Sequence, residues 1–222
     1  MDPLILVALV IALALFFDFT NGFHDTANAM ATPIATGALK PKTAVALAAI
    51  LNLIGAFLST EVAKTISGGL IHEDVYIGPE LVLGGLIGAI VWNLITWLFG
   101  LPSSSSHALF GGLIGAAIVG AGFGAIDGAV LVSKILIPAL LAPVTAGLVS
   151  FLATKIAYSI TRKRERDGFK KGQILTASLV SLAHGTNDAQ KTMGVITLTL
   201  IAAGYQGAGE GPEFWVIAAC AV

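Results

Sequence analysis

The amino-acid sequence predicts an all-α polytopic membrane protein, and its composition and charge distribution support this fold class. Apolar residues make up 56% of the 222-residue chain and charged residues only 11%, with a mean hydropathy of +0.89. A soluble domain carries about 25% charged residues. Segment 81–126 has no Asp, Glu, Lys or Arg over 46 residues, whereas one bilayer span needs only about 20 apolar residues. The chain therefore contains several predicted membrane segments.

The first predicted crossing begins at Leu4 and ends before Lys40. Met1-Asp2-Pro3 supplies no basic residue of the kind that opens a signal peptide, and no small-residue cleavage site ends the apolar run. We interpret this segment as one retained in the membrane. Further charge-free stretches predict later crossings; they lie at 43–60, 135–154 and 192–209.

The distribution of charge predicts the orientation of these crossings. Six of the twelve basic residues fall within 162–171, and the positive-inside rule places such a loop in the cytoplasm. Three segments contain acidic but no basic residues, which suits the outer side; they are 72–80, 125–128 and 205–213. The last apolar segment starts near Phe214 and stops after nine residues, so we expect a truncated sequence.

Polar residues interrupt three of the apolar segments. The first crossing is interrupted at 18–25 and the fifth at 184–188, which predicts broken helices lining a cavity. Segment 81–126 is interrupted at 100–107 without a charge at its tip, unlike an aqueous loop. We therefore favour a re-entrant hairpin at about 81–126 over two full spans.

The two interrupted crossings resemble each other. A shift of 163 residues places Gly22 on Gly185, Asp25 on Asp188, and the Met and Thr that follow on their counterparts. The charge pattern orients the two copies in opposite directions, which predicts an inverted repeat of the kind found in secondary transporters. The predicted organisation is a first repeat at 1–160, a cytoplasmic basic loop at 161–173 and the incomplete start of a second repeat at 174–222.

Two aspartates at matched positions of the repeat, Asp25 and Asp188, are candidate cation ligands. An ionised carboxylate within a span is costly and by default marks an ion or proton pathway, although Asp can also cap a half-helix. Asn28 and Asn187 add amide oxygens, the ligand type that hard cations prefer. The predicted Na⁺ ligands are Asp25, Asn28, Asn187 and Asp188.

The serine-rich tip of the hairpin is the candidate anion site. Hydroxyls at the start of a half-helix, together with its free N–H groups and positive dipole end, suit the oxygens of a phosphate; a flexible Ser-rich linker is the alternative. Lys191 lies deep in the fifth crossing, where it either neutralises a bound anion or pairs with an aspartate. The candidate phosphate-binding residues are Ser103, Ser104, Ser105, Ser106, Thr26, Gln190 and Lys191.

Two histidines, His24 and His107, have more than one interpretation. Each can contact an anion or relay a proton near neutral pH. Each can equally be hydrogen-bonded within the helix bundle without a functional role.

Three motifs resemble signatures of the inorganic phosphate transporter (Pit) family. The first is Asn21-Gly22-Phe23-His24-Asp25-Thr26-Ala27-Asn28-Ala29, and the second is Ala183-His184-Gly185-Thr186-Asn187-Asp188-Ala189-Gln190-Lys191. The third, Gly100-Leu101-Pro102-Ser103-Ser104-Ser105-Ser106-His107, resembles the hairpin motif of that family. The three occur in the expected order along the whole chain. The hairpin that would match the third in a second repeat is absent from this sequence.

The resemblance implies phosphate symport with a cation in the cell membrane, through two inverted halves with facing hairpins. Oxygen-rich surroundings favour Na⁺ over H⁺ as the coupling ion, and no other cofactor is expected. The expected partners are phosphate, the cation, the bilayer, the second half of the transporter and further copies in a homo-oligomer, but not nucleic acid. Transport of another oxyanion such as sulfate is the main alternative. An intramembrane serine hydrolase is a remote one, because no Gly-x-Ser-x-Gly elbow occurs, so the chain is not expected to be an enzyme.

Overall fold

The computed structural model describes residues 2–68, 78–101, 103–161, 166–207 and 209–221, apart from the side chains at 23–28, 67–68, 160–161 and 166–167. Several predicted residues fall outside this description. They are the side chains of His24, Asp25, Thr26 and Asn28, and all of Pro102, Arg162, Lys163 and Arg164.

The described part of the chain is helical, with short connections. The main helices are α1 (Pro3–Ala35), α2 (Pro41–Ala56), α3 (Glu61–Gly68), α4 (Pro79–Leu98), α5 (Ser105–Ala121), α6 (Gly128–Val130), α7 (Ile137–Thr161), α8 (Arg166–Ala202) and α9 (Phe214–Ala221). A 3₁₀ turn at Phe123–Ala125 follows α5, and a π-helical stretch at Leu131–Leu136 joins α6 to α7. Helix α6, the π-helical stretch and α7 follow one another without a gap, and we call them together the 128–161 helix.

The predicted all-α membrane fold is confirmed. Three described helices are long and apolar enough to cross a bilayer, at Pro3–Gly22, Pro79–Leu98 and Gly128–Ser159. α1 starts directly after Asp2, whose carboxylate accepts a hydrogen bond from the Leu4 N–H, 2.9 Å away. That capping bond satisfies one of the free donors at the first turn.

The predicted positions of the helix breaks are wrong. The backbone of α1 is helical through 18–25, and that of α8 through 184–188. The described polar side chains in these segments bond to their own helix, as Thr20 does, or to the facing helix, as Asn21 does. Breaks occur between α2 and α3, at 57–60, which the sequence did not predict, and between α4 and α5, at 99–104, where the predicted interruption at 100–107 lies.

The predicted basic loop at 161–173 is also shorter than expected. α7 continues to Thr161 and α8 already begins at Arg166, so the second half of that segment is helical. Lys170 and Lys171 are exposed on the first turns of α8. The cytoplasmic location of this basic segment stays a prediction.

Helices α1 and α8 run antiparallel with a regular register. The Asn21 amide reaches Asp188, and 15 residues further along α1 the Thr36 hydroxyl reaches Gln173, 15 residues back along α8. The same register sets backbone position 23 opposite position 186. These two positions are equivalents in the 163-residue repeat. The inverted repeat itself stays a prediction.

The predicted hairpin is present as the antiparallel pair α4 and α5. Gly85 and Gly112 let the two backbones approach, since a Cβ on either would overlap the other helix. Ser105, at the start of α5, hydrogen-bonds Lys191 of α8. Lys191 lies eleven residues before the end of α8, or about 16 Å along the helix axis. The tip therefore lies closer to the C-terminal end of α8 than to its start. Pro79–Leu98 is long enough to cross a bilayer, so the re-entrant placement of the hairpin stays a prediction.

The core of the fold surrounds the second half of α8. Every residue from 189 to 200 is buried, and α8 packs against α1, α2, α3 and α9. α2 comes close enough that a Cβ on Gly55 or Gly185 would overlap the backbone of the facing helix. These contacts fix where the polar side chains of α8 lie.

Candidate functional site

A cavity of about 570 Å³ lies beside the polar segments of α1 and α8. Residues of α2 and α9 complete its walls, including Asn52 and Cys220. Its other polar lining residues come from the two long helices; they are Asp18, Asn21, His184 and Asp188. Described polar residues from the two interrupted crossings thus meet at this cavity.

Asp188 is the centre of the polar contacts in this cavity. One carboxylate oxygen, Oδ1, lies 2.6 Å from the Lys191 ammonium. The other, Oδ2, lies 2.6 Å from Nε2 of His184 and accepts a hydrogen bond from the Asn21 amide at 3.0 Å. Both oxygens therefore have nitrogen partners, and charge-assisted contacts of this length are strong in a buried setting.

Lys191 connects this carboxylate to the serine hairpin. Its side chain is 7% exposed, and its ammonium donates to Asp188 and, at 2.9 Å, to the hydroxyl of Ser105. A buried ammonium is stable only when its donors are paired. The interpretation that Lys191 pairs with an aspartate therefore describes this structure, with Ser105 as a second partner.

Two other serines of the hairpin, Ser103 and Ser104, have partners within the hairpin. The Ser103 hydroxyl accepts from the Trp92 indole at 3.0 Å. Ser104 is the N-cap of α5: its hydroxyl accepts from the His107 N–H and lies 2.8 Å from Nδ1 of the same residue. The predicted contact residue His107 thus stabilises the start of α5. Of the described serine hydroxyls at this helix start, that of Ser105 is the one in contact with Lys191.

Gln190 has a structural role that the sequence did not predict. Its side-chain oxygen accepts hydrogen bonds from the N–H groups of Val62 and Ala63, at 2.7 and 3.4 Å, and so caps the first turn of α3. Its amide nitrogen donates to the Thr186 carbonyl. With 1% exposure and both polar atoms engaged, Gln190 supports α3 and does not line the cavity.

The structure does not bring Asn187 together with Asp188. Asn187 is exposed, and its amide nitrogen lies 3.4 Å from the Ala183 carbonyl on its own helix. Neighbouring residues on a helix point about 100° apart, so the two side chains face different surroundings. Their joint role as cation ligands stays a prediction.

Three cavity residues were missed at the level of sequence: Asp18, Asn21 and Asn52. A signal existed for the first two, because they precede Asp25 by seven and four residues, which places all three on one face of a helix. Asn52 is an isolated amide in the charge-free segment 43–60. Asp18 lines the same cavity as Asp188 of α8, in agreement with the register of the two helices.

A family model described as "Phosphate transporter family" matches residues 21–222 of this chain. The chain is 57% identical to the "Probable low-affinity inorganic phosphate transporter" of Mycobacterium tuberculosis, over 99% of this chain and 54% of that protein. It is 46% identical to the Bacillus subtilis protein of the same description, over 98% of this chain and 67% of the relative. The chain thus spans about half the length of several relatives.

Two further similarities agree with these matches. "Low-affinity inorganic phosphate transporter PitA" of Escherichia coli is 36% identical, over 89% of this chain and 46% of its own length. A solved structure, "The sodium-dependent phosphate transporter", superposes with a TM-score of 0.82 at 22% identity, covering 97% of this chain and 73% of its own. The latter shows that the two proteins share a fold.

Proposed function

Because this chain belongs to the phosphate transporter family, we propose that it forms part of a secondary active transporter that carries inorganic phosphate with a cation across the cell membrane. The observation that supports this most directly is the contact between the serine hairpin and Lys191. Hydroxyl groups, a helix N-terminus and a buried ammonium meet there, inside the fold. These are the donors that a phosphate ion needs once it leaves water.

In the proposed site, phosphate oxygens bind at the start of α5 beside Lys191. The candidate ligands are Ser103, Ser104, Ser105, Ser106, Thr26 and Lys191. Gln190 does not contact phosphate in this proposal, because its polar atoms are already hydrogen-bonded. Its contribution to the site is to hold the start of α3 in place. Phosphate then competes with Asp188 for the Lys191 ammonium.

We propose that a bound cation allows phosphate to replace Asp188 as the partner of the Lys191 ammonium. The carboxylate of Asp188, together with the candidate ligands Asp25, Asn28 and Asn187, gives the empty site a negative potential that repels an anion. A bound cation cancels it, so cation and phosphate raise each other's affinity by the same factor. Oxygen ligands favour Na⁺, which agrees with the description of the structural neighbour as sodium-dependent; H⁺ is the alternative.

A second inverted half is proposed to complete the site. In the 163-residue repeat, Lys191 is equivalent to position 28 of α1, so a second hairpin would meet α1 near that position. Relatives of about twice this length support the proposal. We also propose that the transporter forms a homo-oligomer.

Uptake of ³²P-phosphate by the purified protein in proteoliposomes tests this function. We expect saturable uptake that an inward Na⁺ gradient accelerates and that excess sulfate does not reduce. Uptake that follows a proton gradient alone would reject Na⁺ as the coupling ion. Equal competition by sulfate would favour a general oxyanion transporter, and no dependence on either gradient would reject symport.

The serine hydroxyls provide a residue-level test of the same proposal. Ser105→Ala removes one donor at the hairpin tip, and we expect phosphate affinity to fall roughly ten- to a hundred-fold. Thr145→Ala, on the 128–161 helix, is the control, since its hydroxyl bonds only its own helix at Leu141 and Ala142. Unchanged affinity in a folded Ser105→Ala protein would show that this serine only packs the hairpin.

A further inference from the structure

Two amide oxygens at the cavity are buried without a hydrogen-bond partner. They are Oδ1 of Asn21 and Oδ1 of Asn52, on α1 and α2. Asn21 is 2% exposed, so water does not solvate its side chain from outside the fold. Buried acceptors without a partner are rare, because each retains the cost of its lost hydration. Two of them in the wall of one cavity indicate a ligand that interacts with oxygen atoms.

The orientation of the Asn21 amide is set by its neighbour. Its nitrogen donates to the Asp188 carboxylate at 3.0 Å, and an ionised carboxylate only accepts hydrogen bonds. The amide cannot be reversed without placing two acceptors against each other. Its oxygen is therefore available on the other side for an electropositive partner.

A carboxylate completes an oxygen-rich set. Asp18 precedes Asn21 by one helical turn and lines the same cavity. Asp18 and Asp188 bring two carboxylates to this cavity, and the Lys191 ammonium contacts only the second of them among the described residues. The carboxylate of Asp18 is therefore a candidate ligand for a cation. Neutral amide oxygens with a carboxylate are ligands for a hard ion, whereas the site has no described cluster of His, Cys and acidic residues for a transition metal.

We propose that Asp18, Asn21 and Asn52 form a Na⁺-binding site between α1 and α2, a ligand set that differs from the predicted one of Asp25, Asn28, Asn187 and Asp188. This inference rests on the proposed cation symport and identifies one site for its cation. It also supplies a route for coupling. A cation on Asn21 Oδ1 polarises the amide and strengthens its hydrogen bond to Asp188. With that carboxylate better satisfied and the positive charge nearby, Lys191 is released to bind the anion at Ser105.

Na⁺ binding to the purified full-length protein, without phosphate, tests the site. The two readouts are ²²Na⁺ binding and the rise of the unfolding temperature when Na⁺ replaces choline, which reports a ligand bound only to the folded state. In Asn52→Leu and Asp18→Asn we expect Na⁺ affinity to fall about ten- to a hundred-fold. Asn93→Leu, at a buried amide of α4 outside the cavity lining, should keep the wild-type response.

The Asn52→Leu variant also separates binding from folding. Removing a buried acceptor without a partner should leave the unfolding temperature in choline unchanged or higher, while the rise with Na⁺ disappears. A normal Na⁺ response in Asn52→Leu, with loss of the response in Asn187→Leu, would place the cation at the motif residues and overturn this inference. If wild-type protein binds no Na⁺ while a proton gradient drives phosphate uptake, the inference fails and symport itself survives.

Discussion

Two long helices of this protein, α8 and the 128–161 helix, contrast in composition and in environment. Gly128–Ser159 is apolar enough to cross a bilayer, yet its most apolar window is not buried against the rest of the described chain. α8 contains His184, Asp188 and Lys191 and is not among the three described helices of that apolar class. Nevertheless, α8 is buried continuously from 189 to 200.

The contrast shows that the hydropathy of a helix does not indicate how much of it is buried against other parts of the protein. An apolar helix surface needs no protein neighbour when lipid surrounds it, because lipid tails are as apolar as leucine. Asp188 and Lys191 of α8 instead have polar partners on α1 and α5, so this helix lies among protein neighbours. Matched substitutions in the two helices test this difference directly, with stability measured by unfolding of the purified protein in detergent.

The largest expected effect is at the buried lysine. Lys191→Met leaves the Asp188 carboxylate without its closest positive partner, and we expect the unfolding free energy to fall by about 3–5 kcal/mol. Lys155→Met is the control, because Lys155 lies exposed with its ammonium 4.9 Å from the centre of the Phe151 ring; it should lose less than about 1 kcal/mol. Equal losses in both variants would mean that Asp188 does not depend on Lys191.

The double variant sharpens this first prediction. Asp188→Asn removes the uncompensated charge, so Lys191→Met with Asp188→Asn should lose less than the sum of the two single changes. Strict additivity in chemical unfolding would argue that the two side chains do not interact.

The next effect concerns a helix crossing. Gly185→Ala places a Cβ into the backbone of Asn52, and overpacking of this kind costs about 1–3 kcal/mol. Gly147→Ala, on the 128–161 helix, has open space around the added atom and should stabilise the helix by about 0.5–1 kcal/mol. The opposite signs should appear as opposite shifts of the unfolding temperature, and shifts of the same sign would contradict the close α2–α8 crossing.

A smaller effect is expected where a side chain caps a helix. Gln190→Met leaves the first N–H groups of α3 without their acceptor and should cost about 0.5–2 kcal/mol. Gln173→Met, near the exposed start of α8, loses only the contact with the Thr36 hydroxyl, and surface changes of this kind stay within about 0.5 kcal/mol. Hydrogen exchange of the Val62 and Ala63 amides provides a second measurement, since it should accelerate in the first variant alone.

The smallest effect belongs to the 128–161 helix. Leu148 is exposed, so Leu148→Ala should change stability only through lipid partition of the side chain, by about 0.3–0.6 kcal/mol. A loss in the range of about 2–5 kcal/mol, typical of a buried Leu→Ala change, would show that this face packs against protein.

Much of the fold followed from the sequence. Most of each charge-free segment is helical, and the interruption at 100–107 overlaps the turn of the α4–α5 hairpin. Family membership confirms both the resemblance and the prediction that the chain is not an enzyme. The multi-pass location in the cell membrane is likewise confirmed. The helix breaks were misplaced because a sequence shows polar residues but not the neighbouring helix that satisfies them.

The site was predicted less completely. Asp188, Lys191 and Ser105 do meet, but the sequence could not show that Gln190 turns away to cap α3, because adjacent residues on a helix diverge. The presence of Asn52 in the site could not be predicted for a related reason. Asn52 lies at the site because α2 passes close to α8 at Gly185. Such a contact depends on tertiary packing, which a single sequence does not display.

The capping of α3 by Gln190 has a mechanical consequence. Gln190 holds the start of α3, and its covalent neighbour Lys191 holds the tip of the α4–α5 hairpin. Two adjacent residues of one helix cannot move independently, so the distance between these two attachment points is constant in any movement that preserves both hydrogen bonds. Displacement during a transport cycle must then occur across other contacts, and spin labels at Glu61 and Ser106 should keep one separation while labels on the 128–161 helix change theirs.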